Sequence, residues 1–269
     1  RLAAFAFTET HGGANFDHPD PAAGVRTHAR RDGDEWVITG EKHYTTNGSG
    51  WDGRGAHLLT VVCRTDLSRP PQESLAVIVV PGDSAGLEVT GYLDTVGHRA
   101  AVSPRIRLDG VRVPAANILG APGDGIAICR HAFSWTAALI GAACTGVMRA
   151  AFDVAFDFAR RDRRGGSVPV IEHQNVGYML ADIRMRLEAA RYLTWKACHQ
   201  LDLSARRSDE LAIMTKVYAS ELCVQVVYDA MRLVGVDSYT DMTPLAGLMQ
   251  DALCFPLYDG GNMGVRRRQ

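Results

Sequence analysis

Two ionisable residues near the end of the sequence are of types that carry out acid–base chemistry. Asp259 stands before a Gly-Gly pair, and Arg266 follows about two helical turns later. A carboxylate can accept a proton, and a nearby guanidinium would favour its ionised form and hold its orientation. The same aspartate could instead cap a helix, since Asp before Gly-Gly-Asn caps readily. For an isolated aspartate the helix cap is the simpler interpretation.

Two segments in the first fifth of the chain combine threonine hydroxyls with glycines at predicted strand ends. They are FAFTETHGGAN (5–15) and EKHYTTNGSG (41–50). Hydroxyl groups can hydrogen-bond a polar planar ligand, and glycines let the backbone approach it closely. The ring of Tyr44 can stack on such a ligand. Ordinary turn chemistry explains either segment when it is taken alone.

The elements that must position these groups are β-strands in the first half of the chain. An Asp-Gly pair at 32–33 is a strong hairpin signal. Runs rich in Val, Ile and Leu predict further strands at 57–65, 74–81 and 103–113. Because helical crossovers are absent between them, a parallel α/β sheet is not expected.

The second half of the chain has helical periodicity, which begins after a Gly/Pro-rich joint at 113–125. The segment 171–200 repeats apolar residues at the spacing of one helix face. Ser208 predicts the start of another helix, and Gly235 is placed to end it. Several long helices with short breaks are typical of an antiparallel bundle.

The predicted fold class is therefore α+β. An antiparallel β-barrel or sandwich is expected over residues 1–120, followed by an antiparallel four-helix bundle over residues 121–269. The chain starts with Arg1 on what reads like a buried strand, so we expect it to begin inside a larger polypeptide.

Charge and cysteine usage exclude several classes of function. With 29 Lys+Arg against 30 Asp+Glu the chain is nearly neutral, which argues against a nucleic-acid partner. The run Arg266-Arg267-Arg268 is interpreted as a solvated helix end. Six scattered cysteines without a CxxC indicate a reduced, cytoplasmic protein. No apolar run was expected to reach the length of a membrane span, so no membrane partner is predicted.

Two common motifs are excluded. GSGWDG (48–53) matches G-x-G-x-x-G, but a predicted strand follows it where a dinucleotide site needs a helix. The nine histidines show no metal-ligand spacing, so no metal is predicted.

Six segments in one order over the whole chain resemble the acyl-CoA dehydrogenase superfamily, from its middle β domain to near its C-terminus. They are 5–15, 41–50, DGVRVPAANILG (109–120), RRDRRGGSVPVIEHQNVGYMLADI (160–183), LVGVDSYTD (233–241) and YDGGN (258–262). The N-terminal helical domain of that superfamily is absent from this chain.

Within the superfamily, the chain resembles the nitroalkane oxidases. Typical acyl-CoA dehydrogenases carry Glu in a Y-E-G-T motif, whereas this chain has Tyr-Asp-Gly-Gly at 258–261. The resemblance implies that Asp259 is a catalytic base, with Arg266 and the helix hydroxyl of Thr136 close to it. The family usually has Ser where this chain has Thr136.

The resemblance also implies bound FAD. Thr8 and Gly13 would lie along the isoalloxazine ring, Tyr44 would take the place of a flanking aromatic residue, and Thr46 would hydrogen-bond near flavin N5.

The remaining cofactor contacts that the resemblance implies involve the ADP part of FAD. Arg163 or Arg164, Gln174 and the turn at Gly235 would meet it from a neighbouring subunit, which implies a homotetramer. The choice between the two arginines stays open. Gly261 is a further candidate cofactor contact.

The resemblance implies oxidation of a nitroalkane to an aldehyde or ketone, with release of nitrite and H₂O₂ and with O₂ as electron acceptor. Two alternatives stay open. One is α,β-dehydrogenation of an acyl-CoA thioester with an unusual Asp base, and the other is a non-catalytic flavoprotein.

Overall fold

The computed structural model describes residues 1–11, 13–18, 20, 23–164, 166–204 and 207–266. The chain divides into two compact units. The first is Arg1–Thr95 with Arg99–His131, and the second is Val96–His98 with Ala132–Gln269. The division falls inside a long helix, whereas the sequence predicted a boundary at residue 120.

The first unit contains a seven-stranded sheet. Its strands are β1 (Ala3–Ala6), β2 (His28–Asp32), β3 (Glu35–Lys42), β4 (Leu58–Arg64), β5 (Leu75–Pro81), β6 (Leu87–Tyr92) and β7 (Pro104–Pro114). Hydrogen bonds order them β1-β4-β2-β3-β7-β6, with β5 also paired to β4. A short helix, α1 (Pro71–Ser74), precedes β5.

The predicted strands agree with β4, β5 and β7 to within one residue at each end. The Asp-Gly hairpin is present, since Asp32 pairs with Glu35 across the turn. The loop at 48–53 leads into β4, as predicted, and not into a helix.

The sheet differs from the prediction in having two parallel pairings, β1 with β4 and β2 with β4. The chain between β1 and β4 contains the whole β2–β3 hairpin, which gives it the length to return in the same direction. Strand β6 was not predicted. Its residues are alternately half-buried and exposed and include Glu88 and Thr90, so its apolar signal is weak.

The interior of this unit is built from the strand side chains that point to the inner face of the sheet. Strand β7 alternates buried and exposed positions along most of its length, whereas β5 is buried at nearly every position. Ile38, Ile78 and Ile106 are each 1% exposed or less. Fully burying such a side chain contributes about 1.5–3 kcal/mol, so this core holds the strand ends in fixed positions.

The second unit is helical. Its helices are the main part of α2 (Gly125–Arg161), α3 (Gln174–Asp202), α4 (Ser208–Val234), α5 (Leu245–Cys254) and α6 (Asn262–Arg266). As predicted, α4 begins at Ser208 and ends before Gly235, whose N–H donates to Met231 at 2.8 Å and whose φ is 81°. Positive φ at a helix end favours glycine because it has no Cβ.

The core of the second unit contains residues from α2, α3, α4 and α5. The predicted apolar face of α3 is buried at Leu180, Ile183, Leu187 and Ala190. A charged residue, Lys216 of α4, lies among these buried positions and is 1% exposed. A buried charge is costly unless it has partners, and those partners are in the candidate site.

Helices α2 and α4 are long and apolar enough, by length and composition alone, to cross a membrane. Their most apolar 18-residue windows have mean hydropathy 1.5 and 1.2. The expectation that no apolar run approaches the length of a membrane span was therefore too strong. The core helices of soluble proteins meet the same criterion, and both helices contribute to the core here. The absence of a membrane partner stays a prediction.

Candidate active site

The candidate base lies in a tight turn between α5 and α6. The N–H of Gly261 donates to the carbonyl of Tyr258 at 3.1 Å. Both central residues, Asp259 and Gly260, have positive φ, 50° and 86°. This is the pattern of a type I′ turn, in which Asp-Gly is a preferred pair. The local sequence therefore determines the turn that presents the carboxylate.

The turn also bears on the helix-cap interpretation of Asp259. The first hydrogen bond of α6 runs from the N–H of Val265 to the carbonyl of Gly261, at 3.0 Å. The cap position therefore belongs to Gly261, and Asp259 lies two residues before it. A non-glycine residue at positive φ is uncommon, and such residues often mark functional sites.

The carboxyl group of Asp259 is half-buried between two helices. A hydrogen bond with Thr136 of α2 and the charge of Lys216 of α4 both favour its ionised form. Burial acts in the opposite direction and is the larger effect, so the pKa of Asp259 is raised from 3.8. A carboxylate of raised pKa is a stronger base than an ordinary surface aspartate.

The hydroxyl of Thr136 has two possible acceptors. Its Oγ1 lies 3.2 Å from the carbonyl oxygen of Phe133, one turn earlier on α2. One hydroxyl proton serves one acceptor at a time, and a charged carboxylate is the stronger acceptor. Ionisation of Asp259 therefore favours donation of this proton to the carboxylate over donation to Phe133.

Lys216 of α4 hydrogen-bonds to residues on both sides of Asp259 in the turn. Its Nζ donates to the carbonyl of Tyr258 at 2.8 Å and to Oδ1 of Asn262 at 2.7 Å. Burial lowers the pKa of Lys216 to about 8, while the negative charge of Asp259 acts to raise it. Lys216 is not among the site residues predicted from the sequence. A lysine at a core position of an apolar helix was the available signal.

Asn262 and Glu221 extend this network to α6. The side-chain amide of Asn262 donates to Oγ of Ser220 at 3.0 Å and to Oε1 of Glu221 at 3.1 Å. Arg266 donates to the other oxygen of Glu221 at 2.7 Å. That hydrogen bond lowers the pKa of Glu221 and raises the pKa of Arg266. The partner of Arg266 in the structure is thus Glu221, and the cation that acts on Asp259 is Lys216. Arg267 and Arg268 lie outside the described residues.

His98 packs against Tyr258 of the turn and binds Asp251 of α5. Its backbone N–H donates to Oδ1 of Asp251 at 2.6 Å, and its Nε2 lies 2.9 Å from the carbonyl oxygen of the same residue. The ring packs edge-on against Phe255 and Tyr258, with centroids 4.7 and 5.6 Å apart. No sequence motif indicates this role, because His98 is far from the turn along the chain.

The candidate flavin contacts of the first unit come from two adjoining strand ends. The N–H of His43, after β3, donates to the carbonyl of Thr8, after β1, at 2.8 Å. The ring of Tyr44 is 56% exposed, its φ is 54°, and Thr46 next to it is also exposed. Thr8, Tyr44 and Thr46 are therefore brought together, with hydroxyls and an aromatic face accessible.

Two further observations test whether this region fits a flat polar ligand. A Cβ on Gly13 would lie 2.5 Å from the ring of Phe7 and 3.2 Å from Oγ1 of Thr8, so the backbone packs there too closely for a side chain. The hydroxyl of Thr45 is buried and lacks a hydrogen-bond partner among the described residues. Both features are compatible with a ligand that accepts or donates hydrogen bonds at these strand ends.

The residues predicted for the ADP part lie in the second unit. Arg164 pairs with Asp162 at 2.9 Å and with Asp237 at 2.7 Å, which links the segment after α2 to the turn after Gly235. Arg163 donates to the carbonyl of Ser167 at 3.3 Å.

Gln174 is at the first residue of α3, where it is exposed and donates to the hydroxyl of Tyr178 at 2.6 Å. The described residues contain no group of three or more metal-ligating side chains. The absence of a metal stays a prediction.

Comparison with known proteins identifies the family. Residues 4–111 match the middle domain of acyl-CoA dehydrogenases, and residues 123–269 match their C-terminal domain. The nitroalkane oxidase of Podospora anserina is 40% identical over 99% of this chain, and cyclohexane-1-carbonyl-CoA dehydrogenase of Geobacter metallireducens is 33% identical over 97%. This chain spans 65% of the length of each.

A solved structure agrees with these relationships. It is an active-site mutant of nitroalkane oxidase, with asparagine in place of an aspartate, crystallised with 1-nitrooctane. It is 38% identical and superposes with a TM-score of 0.93 over 99% of this chain and 66% of that one. The relatives are FAD-dependent oxidoreductases, in agreement with the predicted cofactor and class of enzyme. This chain belongs to the acyl-CoA dehydrogenase family and is similar to its nitroalkane oxidases.

Proposed function

We propose that the protein is an FAD-dependent enzyme that oxidises nitroalkanes and that Asp259 removes the α-proton of the substrate. The observation that carries the proposal is the placement of this carboxylate. It is half-buried in an Asp-Gly turn, burial raises its pKa, and the Thr136 hydroxyl and the Lys216 charge both favour its ionised form. The solved relative with asparagine at an active-site aspartate supports the same role.

Proton removal suits a carboxylate because the nitro group makes the α C–H unusually acidic for carbon. Asp259 accepts the proton on a carboxylate oxygen, and the substrate becomes a nitronate anion. The proton can be transferred before any electron moves. The raised pKa of Asp259 reduces the energy gap of this step relative to an ordinary aspartate.

FAD would be held by residues of more than one subunit. Thr8, Tyr44 and Thr46 would contact the isoalloxazine ring, and Arg163 or Arg164 of a neighbouring subunit would meet the ADP part. When bound, FAD would accept the two electrons of the oxidation and pass them to O₂; one water would be consumed, and the products would be an aldehyde or ketone, nitrite and H₂O₂. We expect the purified full-length protein to be yellow and to release FAD on denaturation.

The second candidate function is dehydrogenation of an acyl-CoA thioester. The 33% identity to cyclohexane-1-carbonyl-CoA dehydrogenase favours it. The α C–H of a thioester is far less acidic than that of a nitroalkane, so its removal must be coupled to hydride transfer. The aspartate in place of the family's usual glutamate shortens the reach of the base by one methylene, which is why we prefer the nitroalkane.

Anaerobic mixing separates these candidates. The full-length flavoprotein is mixed with neutral nitroethane or with a short acyl-CoA, and the flavin absorbance is followed. Bleaching by nitroethane and not by the acyl-CoA is the expected result. Bleaching by the acyl-CoA alone would favour the dehydrogenase, and bleaching by neither would favour a non-catalytic flavoprotein.

We also propose a homotetramer in the cytoplasm. The bundle exposes large apolar side chains, which a second copy of the chain would cover. Examples are Tyr178, Tyr192 and Trp195 of α3, each at least 59% exposed. All six cysteines are free, which suits a reducing compartment. A 269-residue fragment that is monomeric and melts cooperatively would contradict the need for these contacts.

A further inference from the structure

We propose that Lys216 is the positioning residue of the base: it ties the Asp259 turn to α4, and its ammonium charge favours the carboxylate form of Asp259. The inference rests on the proposed role of Asp259 as the base. It adds a residue that acts through Asp259 and needs no contact with substrate.

The geometry gives Lys216 a hold on both ends of the turn. Its Nζ binds the carbonyl of Tyr258, immediately before Asp259, and the side chain of Asn262, at the first residue of α6. The three residues between these two anchors are Asp259 and two glycines at positive φ. Glycines are the most flexible residues, so two fixed ends are what limits the positions that Asp259 can take.

The charge of Lys216 is not neutralised by its hydrogen-bond partners. Both acceptors, a backbone carbonyl and a side-chain amide, carry no net charge. Glu221 of α4, another carboxylate that acts on Lys216, is already bound by Arg266 and Asn262. Among the charges that stabilise the ammonium, Asp259 has the largest effect. A nearly fully buried cation without a direct carboxylate partner is costly to the fold, and its compensating partner is Asp259.

Other ionisable groups face this pair from the surrounding elements. The buried thiol of Cys144 lies on α2, Glu221 lies on α4, and Tyr258 belongs to the turn itself. A hydrogen bond with Cys223 and burial raise the pKa of Cys144, and burial raises the pKa of Tyr258, so both groups are neutral near pH 7. Arg266 reaches the pair only through Glu221. A neutral substitution of Lys216 should therefore change the pKa of Asp259 more than the pKa of any of these other groups.

The test is the pH dependence of flavin reduction by freshly diluted neutral nitroethane, measured anaerobically in a stopped-flow instrument with the full-length flavoprotein. The neutral variant is Lys216→Met, and Lys216→Arg keeps the charge. Lys196→Met is the matched control, because it removes the same charge from an exposed position on α3.

The acid limb of the profile reports the ionisation of Asp259. An opposite charge close to a carboxylate typically lowers its pKa by about 1–3 units, so the limb in Lys216→Met should move up by about 1 unit or more. In Lys216→Arg the limb should stay within about half a unit, because the charge remains. The plateau rate of Lys216→Arg should fall, because the larger guanidinium group cannot bind the Tyr258 carbonyl and the Asn262 side chain with the same geometry. Lys196→Met should match the wild type.

The inference is overturned if the limb of Lys216→Met coincides with that of the wild type, or if Lys196→Met moves it equally. If Lys216→Met does not retain flavin, Asn262→Asp replaces it. That change puts a carboxylate where the amide oxygen lies 2.7 Å from Nζ, and the limb should again move up. A limb that stays in place would then overturn the inference. Wild-type protein that nitroethane does not reduce at any pH would refute the proposed function instead.

Discussion

Replacing Thr136 with valine tests the electrostatic account of Asp259 by removing one hydroxyl. Valine keeps the β-branched shape but cannot donate a hydrogen bond. In the structure this hydrogen bond lowers the pKa of Asp259 against the effect of burial. Without it the carboxyl group should hold its proton to higher pH. The pH below which the enzyme no longer deprotonates a neutral nitroalkane should therefore be higher in the variant than in the wild type.

The size of the shift follows from the position of Thr136. A hydrogen bond to a charged group is worth about 1.5–3 kcal/mol, which corresponds to about 1–2 pKa units. Thr136 is exposed, and water can replace its hydroxyl at the carboxylate. Solvent screening therefore reduces the expected shift to about 0.5–1 unit.

The assay is the pH profile of flavin reduction by neutral nitroethane in wild type, Thr136→Val and Thr136→Ser. Serine keeps the hydroxyl and is the matched control, so its acid limb should coincide with that of the wild type. The limb of Thr136→Val should lie higher. An unchanged limb in Thr136→Val, with normal flavin content, would refute the hydrogen bond as a determinant of the pKa of Asp259.

Two further predictions concern residues around the base and in the bundle. Arg266→Lys should slow flavin reduction while the flavin stays bound, since lysine lacks the planar fork that binds Glu221. Its stability, measured by urea unfolding, should stay close to that of the wild type, because the pair is exposed and screened by solvent; flavin loss would contradict this prediction. Gly141→Ala should lower the free energy of unfolding by about 1–3 kcal/mol, since its Cβ would lie 2.6 Å from Thr215. Gly146→Ala, where the added methyl group meets open space, should instead be neutral or stabilising by up to about 1 kcal/mol, and equal loss in both variants would contradict the packing.

The sequence was sufficient to predict the elements whose signals are local. Strands β4 and β5 are nearly continuous apolar runs, β7 alternates apolar and polar residues, and the β2–β3 hairpin is marked by its Asp-Gly pair. The parallel pairing of β1 with β4 could not be predicted in this way, because it depends on where a distant segment returns. Strand β6 was not predicted because half of its residues are exposed and its apolar pattern is weak.

The candidate site shows the same limit. Asp259 was predicted from its Asp-Gly-Gly motif and Thr136 from the family resemblance, and in the structure the Thr136 hydroxyl acts on Asp259. Lys216 and His98 act on the turn from positions far along the chain, 42 residues before Tyr258 in the case of Lys216. Only the packing of α4 and of the segment before β7 against the turn reveals them. Arg266 was expected to act on Asp259, but in the fold its partner is Glu221.

The central claim is that Asp259 accepts the carbon proton, and Asp259→Asn tests it most directly. The amide keeps the shape of the side chain but cannot take up the proton. Stopped-flow flavin reduction is compared for neutral nitroethane and for its preformed anion. The neutral substrate should react at least about 10²–10⁴-fold more slowly in the variant, whereas the anion, already deprotonated, should still reduce the flavin. Equal slowing of both substrates would contradict the account and leave Asp259 as a structural residue.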